Sequence, residues 1–325
     1  LLSGGTVLVV YAIGQRLGGA ATATVAAVAT ALDPALVYYD VTRPVPIGLQ
    51  ALLLSAALLV FIALLDAPHP NAFFLAGLAA GAAVYERGTF LFFAVAALIF
   101  VKLRHRLPVR SWTRMVIAFG IGALLIHAPW LVRNYVVYGK PVFIMTATPE
   151  LLWLGNNPRA TGTAVGSSGR PMLDEAPEAL RAKILAADEL TQQAIFREEL
   201  VDFVMAAPLS VMRLFVKKVY YSWWFSPMSG QEHPSWTLAF YKPAYLLIAF
   251  AALWGSIVGL RHGPNHQVIM LLLFLLTISF GQSLFFVEGR HRVALMPIIW
   301  VLAGAGALDF SDRVRSRFFP VQRRV

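Results

Sequence analysis

The sequence predicts an all-α fold: a polytopic transmembrane helical bundle of about nine membrane helices, with an outward-facing loop region that carries amphipathic helices. Three observations predict it. Of 325 residues, 58% are hydrophobic and only 14% charged, whereas a soluble domain carries about a quarter charged residues. Apolar runs approaching the roughly 20 residues of a bilayer span recur along the chain, separated by short breakers. The basic residues concentrate in alternate short loops.

Taken in order, the first apolar run is 3–15, ending at Gly14-Gln15-Arg16. The second is 20–38, with Asp33-Pro34 in mid-run, a pair that should bend or restart the helix. The third, 46–65, stops at Asp66-Ala67-Pro68-His69-Pro70. The fourth (71–85) and fifth (88–103) are divided by Glu86-Arg87-Gly88, and the sixth (112–128) is expected to end at Pro129. Three more follow a long polar region: 238–260, 266–286 and 292–309. Several are short for a full span and should tilt or meet partners inside the bundle. This divides the chain into 1–128 (six helices), 129–237 (extracytoplasmic loop and interfacial helices), 238–310 (three helices) and a basic tail, 311–325.

Alternation through nine spans puts Arg16, Lys102, Arg104, Arg106, Arg110, Arg114, Arg261 and tail residues Arg313, Arg315, Arg317, Arg323 and Arg324 on one side. The opposite short turns hold only Arg43, Arg87, Arg290 and Arg292. The positive-inside rule makes the first side and the C-terminus cytoplasmic and the 129–237 loop outward. A composition rich in Ala, Val, Leu and Arg fits a bacterium, hence a multi-pass protein of the inner (plasma) membrane. The net charge of +10 is explained by these loops, so no nucleic-acid partner is expected. There is no Cys, which excludes thiol nucleophiles, disulfides and cysteine metal sites. The chain opens on Leu1 within an apolar run with no signal-peptide pattern before it, which predicts a fragment and not a mature N-terminus.

Within the outer region, 159–178 is rich in Gly, Ser, Pro and Ala and reads as an irregular loop. From Ala179 to Ala206 the pattern is helical, with Ile184, Leu190, Ile195, Leu200 and Val204 opposite Glu198, Glu199 and Asp202. After Pro208, the segment Leu209 to Phe225 is amphipathic and ends in paired Trp, which suits a helix lying in the membrane interface. A tenth span there would put the basic tail outside and is rejected on that ground.

The stretch Pro129-Trp130-Leu131-Val132-Arg133-Asn134-Tyr135, followed by Trp153-Leu154-Gly155-Asn156-Asn157-Pro158-Arg159-Ala160-Thr161-Gly162, resembles the protein-mannosyltransferase-like family of GT-C glycosyltransferases (glycosyltransferase family 39-type). That family includes the dolichyl-phosphate-mannose protein mannosyltransferases and the lipid A aminoarabinose transferases. Tyr11-x-x-Gly14, Pro34-x-x-x-Tyr38-Tyr39, Gly77-x-x-x-Gly81 with Arg87, and Glu288-Gly289-Arg290-His291-Arg292 with Pro297 resemble its motifs in the same order, so the resemblance spans 1 to about 310. It implies an enzyme that moves a sugar from a polyprenyl-phosphate-linked donor to a lipid, polysaccharide or protein acceptor on the extracytoplasmic side. The family's catalytic acidic residue would then lie upstream of Leu1, leaving this segment inactive alone. An early Glu of the family is replaced here by Thr42-Arg43-Pro44-Val45-Pro46-Ile47 or by Asp40.

A lipid-phosphate leaving group develops negative charge, and the Arg fork binds phosphate oxygens bidentately while staying charged. The candidate phosphate- and substrate-binding residues are therefore Arg87, Arg290, Arg292, His291 and Glu288. Asn156 and Asn157 stand between substrate contact and ordinary turn chemistry, and Asp40, Glu86, Arg43 and Arg133 are secondary candidates. Gly77-x-x-x-Gly81 reads as close helix packing. No metal-ligand spacing, nucleotide loop or other cofactor signature occurs. A transporter or flippase for a lipid-linked or anionic substrate, or a non-catalytic membrane subunit, is the alternative.

Overall fold

The computed structural model describes residues 2–43, 45–227, 233–261, 263 and 265–318; Pro44, His262, Arg323 and Arg324 lie outside the described residues. Among these are fourteen α-helices and no strand. They are α1 (Leu2–Ala31), α2 (Pro34–Thr42), α3 (Ile47–Ala63), α4 (Pro70–Glu86), α5 (Phe90–His105), α6 (Val109–Tyr138), α7 (Thr148–Gly155), α8 (Glu178–Leu185), α9 (Glu189–Ala206), α10 (Pro208–Trp223), α11 (Ser235–Leu260), α12 (His266–Leu284), α13 (Gly289–Val293) and α14 (Met296–Phe318). Each of the nine apolar runs is helical. Three helices, α6, α11 and α12, are long and apolar enough by themselves to cross a membrane.

Helix α1 is two arms. The backbone leaves helical geometry at Gly18 and Gly19, the latter with φ 78°, a region open to glycine. The arms fold against each other so closely that a Cβ on Gly14 would stand 2.7 Å from Ala23 Cα. Asp33-Pro34 then restarts the helix. Asp33 Oδ1 accepts from the amides of Ala35 and Leu36 at 2.9 and 3.0 Å, capping α2, while Oδ2 accepts from Trp300 Nε1 at 2.8 Å. A buried carboxylate is thus satisfied by the helix end it creates.

The expected stop at Pro129 does not occur. Helix α6 continues through it to Tyr138 and ends at Gly139, φ 64°. A proline removes one ladder bond without obliging the helix to stop. The continuation is held by Trp130 Nε1 on Ile144 O at 2.7 Å and Asn134 Nδ2 on Val142 O at 2.9 Å. Two further boundaries differ. The 179–206 helix is split into α8 and α9, because Asp188 caps a new start by accepting from Thr191 N at 2.9 Å. The last run begins as the short α13 before α14.

Helices α4 and α6 touch backbone to backbone. Gly77 lies on the Phe119 carbonyl, Gly122 on that of Phe74, and Gly81 against Ile126. Likewise Gly255 of α11 lies on the Leu302 carbonyl of α14, and Gly306 on that of Ala251. Where both partners and surroundings are apolar, such close approach supplies the dispersion contact that holds helices together. Between them Phe61, Phe90, Phe93 and Phe274 pack edge to face, with centroids 5.1–6.3 Å apart. A second, smaller core of Trp153, Met172, Ile184, Ile195 and Phe196 holds α7, α8 and α9 together.

Several of the loop charges find partners. Arg16 meets Asp66 at 2.6 Å, Lys102 lies over Trp112, and Arg261 and Arg313 flank Trp254. Glu86 accepts from Gln50 Nε2 at 3.0 Å, and Arg87 reaches α12 and α13.

Gly77→Leu or Gly122→Leu should destabilise the bundle by about 1–3 kcal/mol or more, because a side chain there overlaps backbone. Gly120→Ala, where a Cβ meets nothing within 4 Å, should be neutral or stabilise by up to about 1 kcal/mol. Thermal melting in detergent, followed by Trp fluorescence, checks both. Equal melting of the three variants would remove the backbone-contact argument.

Candidate functional site

The site forms where α12 ends before the bundle does. The ladder stops at Leu284, and residues 285–288 run unwound to α13. Helix ends leave carbonyls and amides without partners, and these are buried, so other donors and acceptors must reach them. Asn156 Nδ2 donates to Leu284 O at 2.7 Å and Lys218 Nζ to the same oxygen at 3.4 Å. Gln282 Nε2 donates to Phe286 O at 2.7 Å, and Val287 N donates to Gly162 O at 3.0 Å. Gly155 lies on the Phe285 carbonyl, a contact open only to glycine.

Lys218 was not singled out from the sequence. On α10 the apolar series Leu209, Met212, Val216 and Tyr220 is exposed, while Lys218 is fully buried. Its ammonium also donates to Gly155 O at 3.2 Å and Asn156 Oδ1 at 2.8 Å. Burial pulls its pKa down to about 7; the three oxygens, two of them at helix C-terminal ends, favour the charged form. The only sequence trace was the pair Lys217-Lys218. Adjacent helical residues point about 100° apart, so a snorkelling lysine and a buried one are neighbours in sequence.

Asn156 and Asn157 are buried and fully engaged. Asn157 Nδ2 donates to Trp153 O at 2.8 Å, and its Oδ1 accepts from Arg159 N at 2.8 Å; Asn156 Nδ2 also donates to Leu152 O at 2.8 Å. The Asn157 bonds are those of the turn, while Asn156 also ties α7 to the end of α12 and to Lys218. Arg159 donates to Glu175 O, and the Glu175 carboxylate accepts from Ser168 Oγ at 2.5 Å and Ser168 N at 2.9 Å. These bonds hold Glu175 below the usual carboxylate range and order the Gly- and Ser-rich loop.

The predicted arginines separate into two kinds. Arg87 is buried at the end of α4, with Nη2 donating to Gln282 Oε1 at 2.9 Å and Nη1 to His291 O at 3.3 Å. It joins the α4–α5 turn to α12 and α13. Arg290 is half-exposed and paired with Glu288 at 2.5 Å. His291 Nδ1 accepts from Glu288 N at 3.2 Å, which puts its proton on Nε2. Burial, with Arg87 and Arg290 nearby, keeps it neutral, well below the ordinary imidazole range.

Arg292 is different. It is 3% exposed, its guanidinium carbon lies 4.3 Å from the ring centroids of both Phe225 and Tyr245, and Nε and Nη1 have no hydrogen-bond partner. Tyr241 stacks on Tyr245 and meets Phe225 edge-on, and its buried hydroxyl is also without a partner. Lys242 lies over Phe225 at 5.4 Å. Phe225, Tyr241 and Tyr245 carry no motif, and nothing in the sequence separates Arg292 from Arg290.

The secondary candidates lie apart. Asp40 is exposed and accepts from Ser3 Oγ at 2.5 Å beside Gly48, at a cavity of about 150 Å³ that Thr6 and Thr30 also line. Arg43 donates to Tyr38 Oη at 3.2 Å. Exposed Arg133 lies over Trp130 at 4.9 Å and donates to Asn134 Oδ1 at 2.9 Å. No group of three or more His, Cys, Asp or Glu that could hold a metal occurs among the described residues.

Residues 1–133 match the family model described as dolichyl-phosphate-mannose-protein mannosyltransferase. This bears out the resemblance read from the motifs and supports a membrane glycosyltransferase of the mannosyltransferase type. The match takes in Arg43, Arg87 and Arg133 but stops before Arg290 and Arg292. A search of the curated proteins returned no match.

Lys218→Met should leave Gly155 O and Asn156 Oδ1 without this donor, Leu284 O keeping Asn156 Nδ2, and destabilise this region by about 2–4 kcal/mol, since each unsatisfied group costs about 1–3 kcal/mol. Hydrogen exchange should rise first in 284–288. Unchanged exchange there would refute the clamp. For Glu175 the unfolded carboxyl titrates near 4.5 and the folded one lower. Its contribution is therefore complete above pH 4.5 and is lost as pH falls through the folded value. Ser168→Ala should move that loss to higher pH, read as earlier exchange of the 166–175 amides in an acid series.

Proposed function

We propose that the chain is a glycosyltransferase of the bacterial plasma membrane that moves a sugar from a polyprenyl-phosphate-linked donor to an acceptor on the extracytoplasmic side, with Arg292 as its grip on the lipid phosphate. Residues 1–128 and 238–310 form the membrane bundle, 129–237 the outer region, and the basic tail is cytoplasmic. The single observation that carries the phosphate role is the unpartnered, buried guanidinium of Arg292. The family match over 1–133 supports the chemistry.

The physical case runs from cost to use. An isolated buried cation is strongly unfavourable, and such groups are normally paired. Two aromatic faces return roughly 2 kcal/mol or more each when desolvated, which holds the guanidinium in place without occupying its N–H groups. The donors stay aimed at a missing acceptor. When the sugar–phosphate bond breaks, charge grows on the phosphate oxygens, and a fixed cation in a low-dielectric site stabilises that charge without reorganising.

Arg87, Glu288, Arg290 and His291 have another role in this reading. They fix the turn that delivers Arg292, and Arg290 with its half-exposed pair adds positive potential at the site. Helix α10, with Leu209, Met212, Val216 and Tyr220 exposed along one face, rests on the outer leaflet where the donor's lipid lies.

Arg292→Met separates this role from a structural one. Replacing an unpaired buried charge with an apolar side chain of similar length should leave stability unchanged or raise it by about 1–4 kcal/mol. With the substitution placed in the full-length protein, which carries the upstream segment, transfer from a radiolabelled polyprenyl-phosphate-linked sugar in proteoliposomes should fall roughly 10²–10³-fold. Arg290→Gln should cost less than about tenfold, as an exposed pair is worth roughly 1 kcal/mol or less. A stable Arg292→Met variant with native transfer would defeat the assignment.

A further inference from the structure

The Arg292 guanidinium is not the only orphan in its neighbourhood. The Tyr241 hydroxyl, on the first turns of α11, is buried and has no hydrogen-bond partner. Its ring stacks on Tyr245 with centroids 6.4 Å apart and planes at 27°, and stands edge-on to Phe225 at 5.9 Å. Those are the same two rings that clasp Arg292. A buried hydroxyl without a partner is unfavourable, and buried polar groups in native structures are mostly satisfied. Two such groups sharing one aromatic wall point to one absent acceptor.

The Asp33 carboxylate does not fill that place. Its oxygens accept from the amides of Ala35 and Leu36 and from the Trp300 indole, and the Arg292 and Tyr241 donors stay without an acceptor.

We propose that the Tyr241 hydroxyl donates a hydrogen bond to the same lipid-phosphate group that Arg292 holds, which makes Tyr241 a specificity-determining residue for a phosphate headgroup over a neutral prenol. The inference rests on the reading of Arg292 as the phosphate grip. A phosphate offers several oxygens, so one can meet the guanidinium while another meets the phenol. A prenol hydroxyl offers one oxygen and no charge. Since a hydrogen bond to a charged group contributes about 1.5–3 kcal/mol, losing it should cost roughly tenfold to a hundredfold in affinity.

The test measures binding of farnesyl phosphate, farnesol and inorganic phosphate to the chain in detergent micelles, by calorimetry and by the ³¹P resonance of the bound phosphate. Tyr241→Phe and Arg292→Met are compared with the native chain. Tyr241→Phe removes an unsatisfied group, so its melting temperature should equal or exceed the native value. Its farnesyl phosphate affinity should fall roughly tenfold to a hundredfold, its bound ³¹P resonance should shift, and farnesol binding should change less than about twofold. Loss of farnesyl phosphate binding in Arg292→Met with native binding in Tyr241→Phe would overturn the Tyr241 role and leave the Arg292 role intact. Equal farnesyl phosphate binding by the native chain and Arg292→Met would overturn both. Inorganic phosphate competing as well as farnesyl phosphate would overturn the lipid source and make this a free-anion site.

Discussion

Everything at the outer end depends on a break in a helix that is buried. Helix α12 stops at Leu284, and the carbonyls that a continuing helix would have satisfied face protein instead of water. Lys218, Asn156 and Gln282 supply the missing donors from α10, α7 and α12 itself, and Gly155 lets the chain pass within contact of Phe285 O. Buried backbone groups without partners are costly, so an unwound buried segment needs donors from its surroundings. That requirement explains why three elements converge here, and why α10 turns a lysine inward. It also fixes the level at which α13 begins, and with it Arg292.

The two buried arginines differ in how far their N–H groups are met: Arg87 lacks a partner at Nε, Arg292 at both Nε and Nη1. Arg87 donates to two oxygens and holds the turn. Arg292 is held by faces of rings, which bind a cation without accepting its hydrogens in line. Local chemistry and packing agree at the glycine contacts of α4 with α6 and at the Asp33 cap. They disagree at Arg292 and Tyr241, as they do at other buried polar atoms such as Thr30 Oγ1 and Ser55 Oγ. What sets this pair apart is that both groups pack on the same two rings.

What the sequence made legible was what depends on short range. Apolar period and breakers located nine helical runs, Asp33-Pro34 announced the restart of α2, and Gly77-x-x-x-Gly81 announced a backbone contact. Pro129 misled because a proline weakens a helix by one bond, while the decision to continue rests on Trp130 and Asn134 reaching Ile144 and Val142 beyond the helix end. Asn156 and Asn157 were divided between substrate and turn for the same reason: only the partners of their amides decide, and these lie as far off as Leu284. Arg290 and Arg292 are two residues apart in one motif. Their separation into an exposed pair and a buried orphan depends on Phe225 and Tyr245, which share no pattern with them.

The matched family segment ends at residue 133, while the orphaned donors lie near 241 and 292. Helix α14 joins the two parts, because it packs on both α1 and α11 and carries Trp300, the donor to Asp33. The division between the early carboxylate and the late cation follows from their partners. Asp33 commits its oxygens to the α2 amides and the Trp300 indole, while Nε and Nη1 of Arg292 stay without a partner against Phe225 and Tyr245. Rings hold a cation by its face and leave its in-line N–H groups unclaimed. Under the phosphate proposal, that is what leaves Arg292 able to meet a phosphate oxygen.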